Sequence, residues 1–306
     1  MKLVVGRVVI EEKRMLNDSP VKEPIGEERD RMLSVDGQNI HVVENGSPSG
    51  PTLLLIHGYA GSTSWWDLLV PRLAVDYRVI RVDLLGHGRS DKPADGYAIS
   101  AQGRLVGSVL ITLGVNQVTV VGHSTGGLVA TSLAEQRRDL VRGLALIDTG
   151  PSVDAFLRPG GLGALVSVPV IGQLLWALRT ESTIRKGLSS AFSREVDVST
   201  RIVADVRGMD HRAFTTTPKQ AMSYLAQRSL PDRLCELRLP VLVIFGVEDR
   251  RWRSSSTTEY ADVPNVTVEL LPGVGHSPLL EEPDRTLELL TTFIARNDSE
   301  APHGRG

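Results

Sequence analysis

Gly122-His123-Ser124-Thr125-Gly126 follows the β-branched run VTVV and opens a helix-like stretch, GGLVATSLAEQR. A serine flanked two places away on each side by glycine, at a strand-to-helix turn, is the arrangement that exposes a nucleophilic hydroxyl. The turn is tight enough to strain the serine, and small neighbours let the backbone pass. The helix that follows aims its N-terminus at the site and favours negative charge there. Average glycine and serine usage would produce G-x-S-x-G by chance in roughly one chain in ten of this length, so its weight comes from its setting between strand and helix.

A serine nucleophile needs a base, an acid to orient the base, and donors for a developing oxyanion. Seven histidines are available: His41, His57, His87, His123, His211, His276 and His303. Only His276, in PGVGHSP, lies in a loop after the last strand and before the last helix, the position that the chain order nucleophile, acid, histidine demands. His57, His87 and His123 read as residues that hold turns. His211 falls in a helical insertion, and His303 in the tail. Asp249 ends FGVED, between nucleophile and histidine, and is the preferred acid. Asp148, closing the strand LALID, is the alternative, ahead of Glu248. Asp83, in VDLLGHGRSDKP, reads as a turn-capping carboxylate. The oxyanion donors expected are the backbone N–H groups of Thr125, just after the nucleophile, and Tyr59, in the loop HGYAGS after the strand LLLI.

These loops must be held by a particular frame. PTLLLIHG is a continuous apolar run with no alternation, as expected of a strand buried on both faces, and YRVIRVDLLG, QVTVVGHS, VRGLALID and PVLVIFG are short β-branched runs, each ending in Gly, Asp or Ser. Helix-like segments separate several of them: SWWDLLVPRLA, AQGRLVGSVLITLG and GGLVATSLAEQR. Strand alternating with helix implies a mostly parallel, doubly wound sheet, whose ligand site lies beyond the carboxyl ends of the strands. RMLSVDG and NIHVVENG read as a hairpin turning at Asp36-Gly37. VTVELLPG is a last strand and DRTLELLTTFIAR a last amphipathic helix.

About ninety residues between Asp148 and Pro240 carry no strong strand and read as a helical insertion. The divisions expected are an arm over 1–30 with a short strand at 3–10, a core over 31–150 and 236–298, a helical cap over 151–235, and a disordered polar tail over 299–306. GGLGALVSVPVIGQLLWALR, with Trp176, would roof an apolar pocket, although most such residues simply pack. Trp65 and Trp66 are placed to line a pocket or a core. Arg179, Arg185 and Arg194 could pair with a substrate carboxylate, against a default of surface solvation.

Composition narrows the partners. A net charge of −2 over 306 residues gives no field for nucleic acid or an anionic membrane. The single cysteine, Cys235, excludes an internal disulfide and fits a reducing, cytoplasmic compartment. No run approaches the ~18 apolar residues of a membrane span. There is no cysteine–histidine cluster for zinc and no phosphate-binding glycine fingerprint, so no metal or organic cofactor is expected.

HGYAGS, DLLGHGRSDKP, GHSTGG, FGVEDRRW and LPGVGHSPLLEEP occur in the order found in the α/β-hydrolase superfamily, and over 31–296 the chain resembles its members. The resemblance implies an eight-stranded, mostly parallel sheet flanked by helices, with a helical cap after strand six and the triad Ser124, Asp249 and His276. It implies a serine hydrolase acting on an ester, thioester or lactone of a hydrophobic small molecule. A C–C bond hydrolase, a lyase or isomerase reusing the triad, and an inert ligand-binding member are the alternatives. Ser124 stands where aspartate-nucleophile branches such as epoxide hydrolases carry aspartate. Ala60, Gly61 and Ser62 depart from the glycine run usual in C–C hydrolases.

Overall fold

The computed structural model describes residues 28–158 and 170–300. β1 (Arg29–Val35) and β2 (Gln38–Asn45) form the expected hairpin. Asp36 and Gly37 turn with φ of 50° and 77°, two consecutive positive values that match the right-handed twist of the flanking strands. The parallel strands are β3 (Thr52–Ile56), β4 (Arg78–Val82), β5 (Val118–His123), β6 (Val141–Ile147), β7 (Val241–Gly246) and β8 (Val266–Leu271). They assemble in the order β1-β2-β4-β3-β5-β6-β7-β8, antiparallel at β1·β2 and β2·β4 and parallel elsewhere. β5 and β7 are buried at every position, as continuous apolar runs require. β8, at the sheet edge, is mostly half-exposed.

The segment SWWDLLVPRLA, expected as one helix, is two pieces: a single tight turn at Thr63–Trp66 and the short α1 (Val70–Leu73). Pro71 explains the break, because it lacks an N–H and disfavours helical backbone just before it. α2 (Ile99–Thr112) packs on α3 (Thr125–Gln136), and α3 packs on β5 and β6. The chain crosses from β6 to β7 through α4 (Ile171–Ala177), α5 (Glu181–Ser189), α6 (Thr200–Gly208), α7 (His211–Gln227) and α8 (Leu230–Leu237). Thr180, Ser199, Asp210 and Ser229 each accept a first-turn N–H with the side chain, which starts α5, α6, α7 and α8 where those residues stand.

The short α9 (Pro278–Glu281) leads into α10 (Pro283–Glu300), which packs on β6 and β7. α10 runs through Ser299 and Glu300, two residues into the stretch expected as a disordered tail; the apolar face anchored by Leu290, Phe293 and Ile294 carries the helix past that boundary. The strand expected at 3–10, part of the apolar segment before α4, and His303 lie outside the described residues. No helix among the described residues is long and apolar enough to cross a membrane.

Candidate active site

Ser124 sits between the end of β5 and the start of α3 with φ 51° and ψ −119°. A non-glycine residue there is strained by about 1–3 kcal/mol, and such strain persists only where surrounding structure over-determines it. Here the Ser124 N–H donates to the Ile147 carbonyl at 2.8 Å, and its carbonyl accepts from Gly127 N–H at 2.9 Å and Thr149 Oγ1 at 3.1 Å. The motif glycines are required by backbone passing backbone. A Cβ on Gly126 would stand 2.3 Å from the Ile56 carbonyl oxygen, and one on Gly122 would stand 2.6 Å from Gly126. The N-terminus of α3 therefore presses directly against the end of β3, where the loop holding Tyr59 begins.

His276 Nε2 lies 3.0 Å from Ser124 Oγ, and its Nδ1 lies 2.8 Å from Asp249 Oδ2. With Nδ1–H donating to the carboxylate, Nε2 presents a lone pair to the serine hydroxyl, the tautomer that a general base needs. Asp249 is itself aimed. Its Oδ1 accepts the N–H groups of Arg251 at 2.6 Å and Trp252 at 3.2 Å. All three side chains are largely buried. They come from residues 27 and 152 positions apart along the chain, each on a loop at the carboxyl end of a parallel strand.

Glu281, inside LPGVGHSPLLEEP but given no role from the sequence, holds the histidine loop. It accepts N–H groups from Gly275 at 2.9 Å and Ser277 at 3.0 Å on either side of His276. It also accepts from Ser193 at 2.7 Å and Arg194 at 3.1 Å, just beyond α5. The His276 N–H donates to Ala191 at 3.0 Å, so the helical insertion and the histidine loop are tied together.

Asp148, the alternative acid, closes β6 with φ 42° and is fully buried. Its Oδ1 accepts Gly246 N–H at 2.8 Å, while Oδ2 has no hydrogen-bond partner among the described residues. Burial and the adjacent Asp249 charge push its carboxyl well above the usual carboxylate range. Asp148, Asp249 and His276 offer ligand atoms within 4.8 Å of one another, a spacing that could accept a cation. The 2.8 Å hydrogen bond between His276 and Asp249 already uses the imidazole nitrogen that would have to coordinate it.

Thr125 directly follows Ser124 in the chain and is the first residue of α3. Gly58, just before Tyr59, lies so near that a Cβ on it would stand 3.1 Å from Ser124 Cβ. The Tyr59 side chain turns toward the insertion: its hydroxyl donates to the Phe214 carbonyl at 2.9 Å, and Phe214 stacks 4.0 Å from Trp176. Trp65 and Trp66 are core residues, with Trp65 stacked on His123 at 5.7 Å. A cavity of ≈ 590 Å³ opens beside the acid loop, lined by Ser193, Glu248, Asp249, Arg250 and Gly273, and Ser124 is not part of its wall.

His57, His87 and His123 hold turns. His57 Nδ1 donates to the Gly58 carbonyl at 2.7 Å, and Nε2 accepts from Leu84 N–H at 3.0 Å. His123 Nε2 donates to the His276 carbonyl at 2.8 Å, and His87 Nδ1 donates to Leu85 at 3.0 Å. Burial lowers His87 and His123 to about 3, so both are neutral. Asp83 caps turns as expected, accepting N–H groups from Thr63 at 2.7 Å and Arg89 at 2.9 Å and pairing with His41 at 2.6 Å.

The eight-stranded, mostly parallel sheet with helices on its faces is the fold of a known class. Residues 53–289 match the Alpha/beta hydrolase family, and the chain belongs to it. It is 30% identical over 262 residues to an uncharacterized protein of Mycobacterium tuberculosis, covering 80% of this chain and 76% of that one. It is 26% identical over 269 residues to the 2-(acetamidomethylene)succinate hydrolase of Mesorhizobium japonicum, covering 86% of this chain and 94% of that enzyme. Among solved structures, a mutant of the N-acyl homoserine lactonase AidH complexed with N-hexanoyl homoserine superposes with TM-score 0.76 at 22% identity, over 91% of this chain and 100% of that one.

Proposed function

We propose that the protein is a serine hydrolase that cleaves a carboxylic ester, thioester or lactone of a small molecule with an apolar body. The observation that carries this is the continuous hydrogen-bonded line from Ser124 Oγ through His276 to Asp249, at 3.0 and 2.8 Å. In this reading Ser124 attacks the substrate carbonyl while His276 takes its proton. The N–H groups of Tyr59 and Thr125 receive the oxyanion, and the leaving alcohol, thiol or tethered hydroxyl departs with a proton returned by His276. An acyl-enzyme remains, and His276 then activates the water that releases the acid.

The residues over 151–235 act as a cap above a core made of 31–150 and 236–298. The cluster of Tyr59, Phe214 and Trp176 supports an apolar contact surface where cap meets core. A relative named for hydrolysis of a succinate derivative is consistent with a small, soluble substrate. The single cysteine supports a cytoplasmic location.

The test is hydrolysis of p-nitrophenyl esters from acetyl to dodecanoyl by the wild type and by Ser124→Ala, together with labelling by a serine-directed phosphonate. Turnover and labelling that both vanish in Ser124→Ala support the reading. A wild type whose Ser124 resists labelling refutes it.

A further inference from the structure

Arg251 lies two residues beyond Asp249, and its backbone is fixed by the 2.6 Å bond from its N–H to that carboxylate. Its side chain reaches the other way. Guanidinium Nη2 donates to Ser190 Oγ at 2.7 Å, at the end of α5 in the insertion. The Asp249 carboxylate acts on it through space and the neutral Tyr59 phenol lies near it, so the cation stands among the acid loop, the loop after β3 and the insertion. It is half-buried, and no carboxylate among the described residues lies within ion-pair distance of it.

Other withdrawn arginines are held by carboxylates or by backbone carbonyls. Arg78 and Arg81, also withdrawn from water, pair with Glu44 and with Asp67 and Glu28; Arg233 pairs with Glu135. The arginines that the sequence offered for substrate recognition are committed within the fold. Arg179 donates to the carbonyls of Trp176, Arg207 and Met209. Arg185 bonds Glu181 and Val198, and Arg194 bonds Glu282 and Gly273. Asp249 acts on Arg251 only through space, because its oxygens hydrogen-bond His276 and two N–H groups and make no ion pair with the guanidinium.

A half-buried cation held by one hydroxyl keeps donors to spare, and a planar guanidinium offers a fork that fits one carboxylate. We infer that Arg251 is the recognition point for a carboxylate carried by the substrate away from its scissile bond. Resting on the hydrolase reading above, this makes the substrate class monoesters, thioesters or lactones that retain one free carboxylate on an apolar chain.

The experiment compares ligands matched in length, monomethyl adipate and methyl hexanoate, by calorimetric binding to Ser124→Ala and by acid release from the wild type. The anionic ester binds Ser124→Ala tighter by roughly 10- to 100-fold, the worth of a hydrogen-bonded charge. The advantage disappears in Ser124→Ala/Arg251→Met, survives in part with Arg251→Lys, and shrinks with added salt. In the catalytic protein, the ratio of kcat/KM for the anionic over the neutral ester falls by a like factor in Arg251→Met, through KM. Equal binding of the two esters, including no binding of either, overturns the inference. So does an anionic preference that survives Arg251→Met. Should Arg251→Met fail to fold, the wild-type preference and Arg251→Lys decide it. Because binding is read without turnover, its result is separate from phosphonate labelling of Ser124, on which the hydrolase reading stands.

Discussion

Asp148 and Asp249 stand at the ends of neighbouring parallel strands with His276 within reach of both, yet only Asp249 hydrogen-bonds the imidazole, at 2.8 Å. The two carboxyl groups differ in their surroundings. Asp249 receives two backbone N–H groups on one oxygen, which stabilise its charge. Asp148 receives one and is fully buried, and burial together with the neighbouring Asp249 pushes its carboxyl well above the usual carboxylate range.

Asp249→Asn is therefore expected to lower kcat on an ester by about 10⁴-fold, because an amide no longer fixes the useful histidine tautomer. Asp148→Asn replaces one neutral group with another and is expected to cost less than about tenfold. Steady-state kinetics on one p-nitrophenyl ester distinguish the two. The reverse order would make Asp148 the triad acid.

Ser124→Ala is expected to reduce kcat by on the order of 10⁴- to 10⁶-fold. Thermal unfolding followed by circular dichroism should show little change, since alanine meets the same positive φ as serine and the backbone bonds to Ile147, Gly127 and Thr149 remain. A large drop in melting temperature would mean that the hydroxyl supports the fold.

Glu281→Gln presents an NH₂ group to some of the N–H donors that the carboxylate now accepts. A loss of about 2–3 kcal/mol in urea unfolding is expected, from unsatisfied buried donors. A fall in kcat should accompany it, as the loop around His276 loosens. Unchanged stability would show that the four bonds to Glu281 contribute nothing net.

Acid should weaken the protein in a defined window. His87 and His123 titrate at about 3 in the folded chain, lowered by burial, against roughly 6.5 when unfolded. Their contribution is fully present above pH ~6.5 and is lost progressively as pH falls toward 3, because only the unfolded chain takes up the protons. Asp83 adds a second loss between about pH 4 and 2. Burial opposes its charge, but the His41 bond and the Arg89 N–H outweigh burial and hold its carboxyl at about 2. Urea midpoints measured from pH 7 to 4 should fall steadily, and His87→Gln should flatten that slope. A wild-type midpoint independent of pH over this range would contradict neutral, buried histidines.

Much of the frame is legible in the residues. Short β-branched and apolar runs mark β3 to β7, and Asp36-Gly37 marks the hairpin. The misreadings have local causes. Pro71 breaks a segment whose apolar pattern reads as one helix, and α10 outlasts its apolar stripe by several residues.

By itself the sequence determined what is encoded over a few neighbours: the strained serine turn, the glycines that let α3 meet β3, and the order of strand, loop and helix. Tertiary structure decided which distant groups meet. It gave His276 to Asp249 rather than Asp148, set Glu281 against four N–H groups from two segments, and occupied Arg179, Arg185 and Arg194 while leaving Arg251 without a carboxylate. The reason is physical. Periodicity and turn chemistry act between residues close in the chain, whereas burial, charge pairing and proton affinity depend on what packing brings together across it.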